Sequence, residues 1–575
     1  MFWAKSKNFI FRKLSRMSMS QVDFPEENNA QCIKVKLNNG RRTDTNASEL
    51  PILTNEHVPC QVLDVDNFLV LIGEFGRMQK LLVFLFSLMI IPSAYHTLIM
   101  SFIGNEPGWR CTSNNSECTF NSTVVFVKGD LNYENNCKMN RTSWEFIHPK
   151  EFSIVTEWDL VCGKKTHSTL ANSVFFIGWG LGAITIGILS DRYGRKKILF
   201  PSWSGIIASS LICAFVHNFW IFLVLRLIIG ILQGGVMLLL FVLATELVGP
   251  SYRSLSGTTI WFAFTFALCI MAVQAWLIPN WRTLLIIVSI PYIVLILFYK
   301  LIPESVRWLR VSNKPLEAEL ILRNIARRNK KPWPNAKLSD PPTASLSHKA
   351  SLKDLFLPKK KFIVTFIQCF TWFVNSMVFY GISLASDNLG GNQYRNFLLA
   401  SIVEFPAIVT AIVSSNRVGR KSTAIFSMAI AGLSCIGVAF IPSTESYVWP
   451  KIALGMVGKL FITVSFDVLY VWSAELHPTV IRVQGMGLLS VTSRCGGASA
   501  PWVSQFLAHF HKMLPFGIMG SLSLISAFMC CILKETRGLA SPETLEDSTE
   551  INEMSTSNYV NEDNALILKD APESV

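Results

Sequence analysis

Hydrophobic runs set the frame of this chain. Stretches such as Leu81–Ile91 and Leu284–Tyr299 recur at intervals, each bounded by short polar or charged clusters. A helix needs roughly 20 mainly apolar residues to cross a bilayer. About twelve stretches qualify: 79–103, 168–189, 198–218, 220–246, 257–278 and 282–302, then 362–384, 396–414, 422–441, 450–474, 485–508 and 515–533. The pattern predicts six spans (79–302), a polar loop at 303–361, six more spans (362–533), and polar tails at 1–78 and 534–575. One long hydrophilic segment, 104–167, separates the first two spans. The opening MFWAKSKNFIFRKLSRM mixes basic with bulky apolar residues but is too broken for a secretory signal. It reads as a cytosolic tail able to touch a lipid surface. The last tail is acidic and rich in Ser and Thr, the composition of a disordered segment.

Composition agrees. Of 575 residues, 50% are hydrophobic and 16% charged, against about a quarter charged in soluble domains. A soluble enzyme and a secreted disulfide scaffold are excluded as the main architecture. The net charge of +13 is placed rather than spread: residues 303–361 hold 14 Lys/Arg against 5 Asp/Glu. Such clustering marks a cytoplasmic loop by the positive-inside rule, with anionic lipid as a partner. No base-reading module accompanies it, so no nucleic-acid partner is expected.

The 104–167 segment carries Cys111, Cys118, Cys137 and Cys162, and sequons at Asn114, Asn121 and Asn140. Together they fit an oxidising, glycosylated exterior. Two disulfides are expected, with all three connectivities open.

The two halves repeat. Ser190-Asp191-Arg192-Tyr193-Gly194-Arg195-Lys196 returns as Ser415-Asn416-Arg417-Val418-Gly419-Arg420-Lys421, an offset of 225 (191 to 416). Glu246 and Arg253 are matched by Glu475 and Arg482 at an offset of 229 (246 to 475). Three residues around Glu304 are matched by three around Glu535 at 231 (304 to 535). A six-span unit has been duplicated, the design of many secondary transporters with a midplane site between halves. Glycine in the short loops permits a tight turn, and the cations mark the inner face. Asp191, Arg192, Gly194, Arg195, Glu246, Arg253, Arg417, Arg420, Glu475 and Arg482 are therefore candidate gating residues, forming latches that break when the halves rock. Asn416 replaces the acid in the second copy, so a weaker latch is expected there. Glycines at 178, 180, 182, 230 and 234 lie inside spans and read as close helix packing.

Charges inside spans decide substrate class, since each costs at least roughly 2.5–3.5 kcal/mol at the bilayer centre and must face a cavity or a partner. Counting from the nearest loop markers at 1.5 Å per residue, Glu404, Asp467 and Arg494 lie about 18, 12 and 18 Å deep. An acid can hold a quaternary ammonium, assisted by cation–π attraction from Trp372, Phe379, Tyr380 and Phe466. Arg494 can hold a carboxylate as a planar fork. The alternative is that Asp467 and Arg494 neutralise each other. His96 and His477 are candidate proton-coupling groups. No metal-ligand cluster, phosphate loop or nucleophile triad is present, so no enzyme and no cofactor is expected beyond coupling to sodium or protons.

Gly187-xxx-Asp191-Arg192-Tyr193-Gly194-Arg195-Lys196, the Arg226/Gly230/Gly234 run and Pro303-Glu-Ser-Val-Arg-Trp-Leu309 resemble the major facilitator superfamily. More narrowly, Phe152-Ser-Ile-Val-Thr-Glu-Trp-Asp-Leu-Val-Cys162 is similar to the end of the large first loop of the organic cation, anion and carnitine transporters, solute carrier family 22. So are Gly73-Glu74-Phe75-Gly76, Ala474-Glu475-Leu476-His477-Pro478-Thr479 and Ser541-Pro542-Glu543-Thr544. The likeness covers about 70–545. It implies an all-α major facilitator fold, twelve helices in two six-helix pseudo-repeats, at the plasma membrane with both termini cytoplasmic. In that family cation carriers typically have Asp where Arg494 stands, and anion carriers tend to have Lys at Ile408. Glu404 with Arg494, and Gly458-Lys459 before Tyr470-Val471-Trp472, resemble the carnitine and cation branch. Asp467 stands where that branch usually has a neutral residue. The resemblance implies a carrier of carnitine-like zwitterions and organic cations, the alternatives being organic anions or a receptor-like relative that binds without transport.

Overall fold

The structure is a computed structural model that describes residues 61–112, 118, 123–127, 130, 132–334, 336–339, 355–356, 359–442, 445–478, 481–511 and 513–538. Asn114, Asn121, most of both tails and part of the basic loop lie outside these residues. Residues 61–64 and 334–339 belong to a small separate unit, in which Gln61–Leu63 pairs in parallel with Ala336–Leu338.

The remaining residues form the membrane body. Its helices are α1 (Arg77–Ile103), α2 (Thr166–Tyr193), α3 (Arg195–Phe215), α4 (Phe219–Glu246), α5 (Arg253–Leu277) and α6 (Trp281–Lys300), then α7 (Lys359–Leu384), α8 (Gln393–Arg417), α9 (Arg420–Phe440), α10 (Val448–Leu476), α11 (Arg482–Pro501) and α12 (Leu514–Cys530). All twelve expected spans are met by a helix. The first ten are long and apolar enough to cross a bilayer, whereas α12 is a shorter apolar helix of 17 residues. α11 is the more polar helix because it carries Arg494 and a run of small residues, and it packs against α2 and α7 rather than facing lipid all round.

Local chemistry fixes the helix ends. The side chains of Asn218, Asn280 and Asn392 accept backbone N–H bonds of 2.8–3.2 Å at the starts of α4, α6 and α8. Such caps satisfy the orphan donors of a first turn. At the opposite end, Gly194 (φ +110°) and Gly419 (φ +119°) take a left-handed backbone between α2 and α3 and between α8 and α9. Within the first half, Gly178 and Gly182 of α2 meet Gly230 and Gly234 of α4 so closely that an added methyl would strike the facing backbone carbonyls. Tight helix packing, as the spacing predicted, is what these glycines do.

The hydrophilic insertion between α1 and α2 folds on a three-stranded antiparallel sheet, with β1 (Trp109–Cys111) between β2 (Val125–Phe126) and β3 (Trp144–Phe146). Disulfides join Cys111 to Cys118 and Cys137 to Cys162. Trp109 is fully buried and donates to the Tyr133 carbonyl at 2.8 Å. The Phe152–Cys162 motif anchors this insertion. Glu157 pairs with Arg282 and accepts from Trp281 Nε1 at 2.8 Å, while Trp158 Nε1 donates to the His217 carbonyl at 2.8 Å. Asn140 is solvent-exposed.

The halves meet near this disulfide-bearing end and at mid-depth. Ser173 donates to the Ala498 carbonyl at 2.7 Å, Phe102 stacks on Tyr394 at 5.5 Å, and Gln393 donates to the Ser101 carbonyl.

Candidate functional site

The deepest charges resolve into one closed pair and two open groups. Lys459 of α10 and Glu404 of α8 form an ion pair at 2.9 Å, their side chains 0% and 4% exposed. Lys459 also donates to Ser383 at 2.9 Å and sits 3.2 Å from the Phe379 ring centroid. Thr265 of α5, in the other half, donates to Glu404 at 3.0 Å. Glu404 is thus a strut between the halves whose carboxylate is already engaged. The carboxylate expected to hold a substrate cation is engaged here by Lys459 and Thr265. A buried pair of this kind is held by mutual attraction against desolvation, so removing one member strands the other.

Asp467 lies eight residues beyond Lys459, on the same face of α10. Its Oδ2 is buried with no hydrogen-bond partner. Arg494 of α11 lies over the Trp179 ring at 3.9 Å and donates weakly to the Tyr380 hydroxyl at 3.4 Å, leaving Nε without a partner. Among the described residues Asp467 and Arg494 form no ion pair with each other. One acid and one base therefore remain in the core, neither neutralised by the other.

Aromatic rings pack beside Arg494, and one of them, Phe466, precedes Asp467 in the chain. Phe379 packs on Tyr380 and Phe466 at 5.1 and 5.3 Å, and Trp372 on Phe466 and Tyr470 at 5.7 and 4.5 Å. Trp372 is fixed by its Nε1 bond to Ser473 at 2.9 Å. Phe176 and Trp179 of α2 close the group from the other half, with Phe176 at 4.7 Å from Tyr380. All four aromatic residues expected at the site are in this cluster, with Phe379 given over partly to Lys459. Such a wall offers π faces to an alkylammonium group while Arg494 offers donors to a carboxylate.

The duplicated loops form two matching clusters at the basic end. In the first, Arg195 pairs with Glu246 at 3.0 Å, Ser305 donates to Glu246, and Glu304 accepts from the Lys196 N–H at 2.9 Å. In the second, Arg420 pairs with Glu475 at 3.2 Å, Thr536 donates to Glu475, and Glu535 accepts from the N–H groups of Arg420 and Lys421 at 2.9 and 3.0 Å. With Asn416 in place of the acid, the second cluster lacks a counterpart of Asp191 and keeps the Arg420–Glu475 pair. Asp191 is a peripheral partner of Arg195 at 3.7 Å and 74% exposed, and the acid that counts is Glu246 or Glu475. Arg253 pairs with Asp66, as does Arg307, so it is not the partner of Glu246. Arg482 donates to the His477 carbonyl at 3.2 Å. Arg192 lies over the Tyr193 ring, the Arg417 carbonyl accepts from Arg537, and among the described residues neither side chain pairs with an acid. Burial works to raise the Glu535 carboxyl, but backbone N–H donors from Arg537, Arg420, Thr536 and Lys421 outweigh it and hold the group below the usual glutamate range. Burial and the nearby Arg482 hold the His477 ring below the usual histidine value despite its 2.8 Å contact with the Ser473 carbonyl.

Lys459, Thr265, Trp179 and Tyr470 were not among the expected site residues. Lys459 carried the signal, being an ionisable residue deep in a span, yet it served only as a family mark. Trp179 and Thr265 carry none, because their role depends on how the halves meet.

Residues 82–547 match the sugar (and other) transporter family. The chain is 32% identical over 517 residues to an organic cation transporter protein of Drosophila melanogaster, covering 84% of this chain and 94% of the relative. It is 30% identical over 533 residues to the human organic cation/carnitine transporter 2, covering 85% and 95%. Among solved structures it is similar to the xylose transporter of E. coli in an inward-open conformation, with a TM-score of 0.57 at 16% identity over 82% of this chain and 99% of that one. That last likeness shows the fold alone. The chain belongs to the sugar (and other) transporter family of the major facilitator superfamily and, within it, to solute carrier family 22, whose members are membrane transporters and not enzymes.

Proposed function

We propose that this transporter moves carnitine-like zwitterions and organic cations across the plasma membrane by alternating access. The observation that carries the reading is the pair of groups not neutralised by each other: Asp467, next to Phe466 in the chain, and Arg494, against Trp179 and Tyr380. With Glu404 closed by Lys459, Asp467 is the acid left for an ammonium group. Arg494 takes the carboxylate. The printed names of relatives, organic cation and organic cation/carnitine transporters, support the same class.

The disulfide-bearing insertion and Asn140 face the exterior in this reading, and the basic turns and both termini face the cytosol. The halves are then closed on the outer side. Asp191, Arg195, Glu246, Arg420 and Glu475 gate the inner one.

Uptake of labelled carnitine and labelled tetraethylammonium, with and without sodium, tests the reading in cells expressing the protein at their surface. Saturable uptake of carnitine is the expected result, and its response to sodium removal assigns the coupling ion. Uptake of dicarboxylates with neither probe carried would move the protein to the organic anions. Binding of a probe without flux would make it a receptor.

A further inference from the structure

We propose that Arg226 forms the core of a binding site for a small monovalent anion inside the first six-helix half. Arg226 lies in α4 and is 2% exposed. Its Nη1 donates to the His96 carbonyl at 3.2 Å, and its guanidinium lies 4.4 Å from the Phe175 ring centroid. Nε and Nη2 are buried with no protein acceptor. Lys459 and Arg282, by contrast, have Glu404 and Glu157, whereas Arg494 shares the lack of an acid. Among the described residues no acid pairs with Arg226.

Buried polar groups on the same helices, His96 beside Arg226 and Asn172 one turn before Phe175, are unsatisfied as well. The Asn172 side chain, 0% exposed, has neither its amide nitrogen nor its oxygen partnered. The His96 ring, 1% exposed and within electrostatic range of Arg226, has both nitrogens unpartnered. Gln233, two turns along α4, holds the Ser93 carbonyl at 2.8 Å and leaves its oxygen over. A guanidinium kept in low dielectric without a counter-charge is strongly disfavoured. The unmet groups include N–H donors on Arg226 Nε and Nη2, the Asn172 amide and one imidazole nitrogen, alongside acceptors on Asn172, Gln233 and the other imidazole nitrogen. The fixed positive charge of Arg226, with two guanidinium nitrogens unpartnered, selects an anion over a cation. The site is distinct from that of Arg494, which rests on Trp179, one helical turn beyond Phe175. Occupancy therefore bears on the α2 segment that carries the Arg494 platform.

Binding of radiolabelled chloride to the purified full-length protein in nanodiscs, with gluconate as the other anion, tests this. The expected result is saturable binding of one chloride per chain, with melting temperature rising in chloride over gluconate. Arg226→Gln and Asn172→Leu are expected to weaken chloride binding at least tenfold, whereas Arg494→Ala leaves it unchanged. Absence of saturable binding to the wild-type protein would overturn the proposal even if neither variant folds. So would loss of binding in Arg494→Ala with retention in Arg226→Gln, which would put the anion in the transport site.

Discussion

At the residue scale the charges inside the membrane divide into those already paired and those left open. Lys459 and Glu404 neutralise each other out of water, so replacing either alone leaves a buried charge, a loss on the order of 3–5 kcal/mol. Lys459→Met and Glu404→Gln are each expected to lower the melting temperature of the detergent-solubilised protein, and Lys459→Met with Glu404→Leu to recover much of it. A double variant no more stable than the singles would show that the pair is not the source. His477 gives a pH dependence of known sign. Its folded value lies below the unfolded value of 6.5, so the unfolded chain takes up the proton first. Stability from this group is present above about pH 6.5 and falls as pH drops toward the folded value. Thermal unfolding between pH 5 and 7.5 should show that slope, reduced in His477→Asn. The intramembrane acids and the arginine were legible because an ionisable residue in an apolar run is conspicuous. Their partners were not, because depth along a helix follows from counting and facing angle does not.

At the element scale the legible features were those with a period. Twelve apolar runs became helices because length and hydropathy suffice to define a span, and duplicated markers located the same turn twice. Gly194 and Gly419 were legible as turn residues, and their positive φ is the reason. The capping role of Glu304 and Glu535 was not, since each reaches a helix start more than a hundred residues away in sequence. Glu535 stabilises the start of α9 through its charged form. That contribution is present above the usual glutamate value of about 4.5 and is lost as pH falls through its lowered folded value. Glu535→Gln is expected to raise protease sensitivity around Arg420 at neutral pH, with little effect on the matching Glu304 cluster. Equal sensitivity in wild type and variant would contradict the capping role. The second basic cluster keeps its ion pair with Asn416 in place of the acid, because Arg420 reaches Glu475 directly.

For the whole molecule, the contacts between halves place the closed end. Ser173 and Ala498 meet there across the interface. Cysteines at both positions are expected to cross-link under mild oxidation and to abolish uptake until a reductant is added. Full uptake by completely cross-linked protein would mean that this end does not open during transport. The site itself was only half legible. The C-terminal half's aromatic residues, Asp467 and Arg494 were visible in the sequence, whereas Trp179 and Thr265 enter from the other half and depend on how two six-helix units dock. A substrate zwitterion would bridge that same division, held by Asp467 on α10 and by Arg494 against Trp179 of α2.

The most direct measurement is uptake of carnitine and tetraethylammonium by wild type, Arg494→Ala and Asp467→Asn at matched surface expression. The two groups reading opposite ends of a zwitterion predict that Arg494→Ala loses carnitine uptake at least tenfold and keeps that of tetraethylammonium. Asp467→Asn is predicted to impair both. Carnitine uptake that survives Arg494→Ala undiminished would contradict the assignment of the carboxylate and, with it, the account of this site.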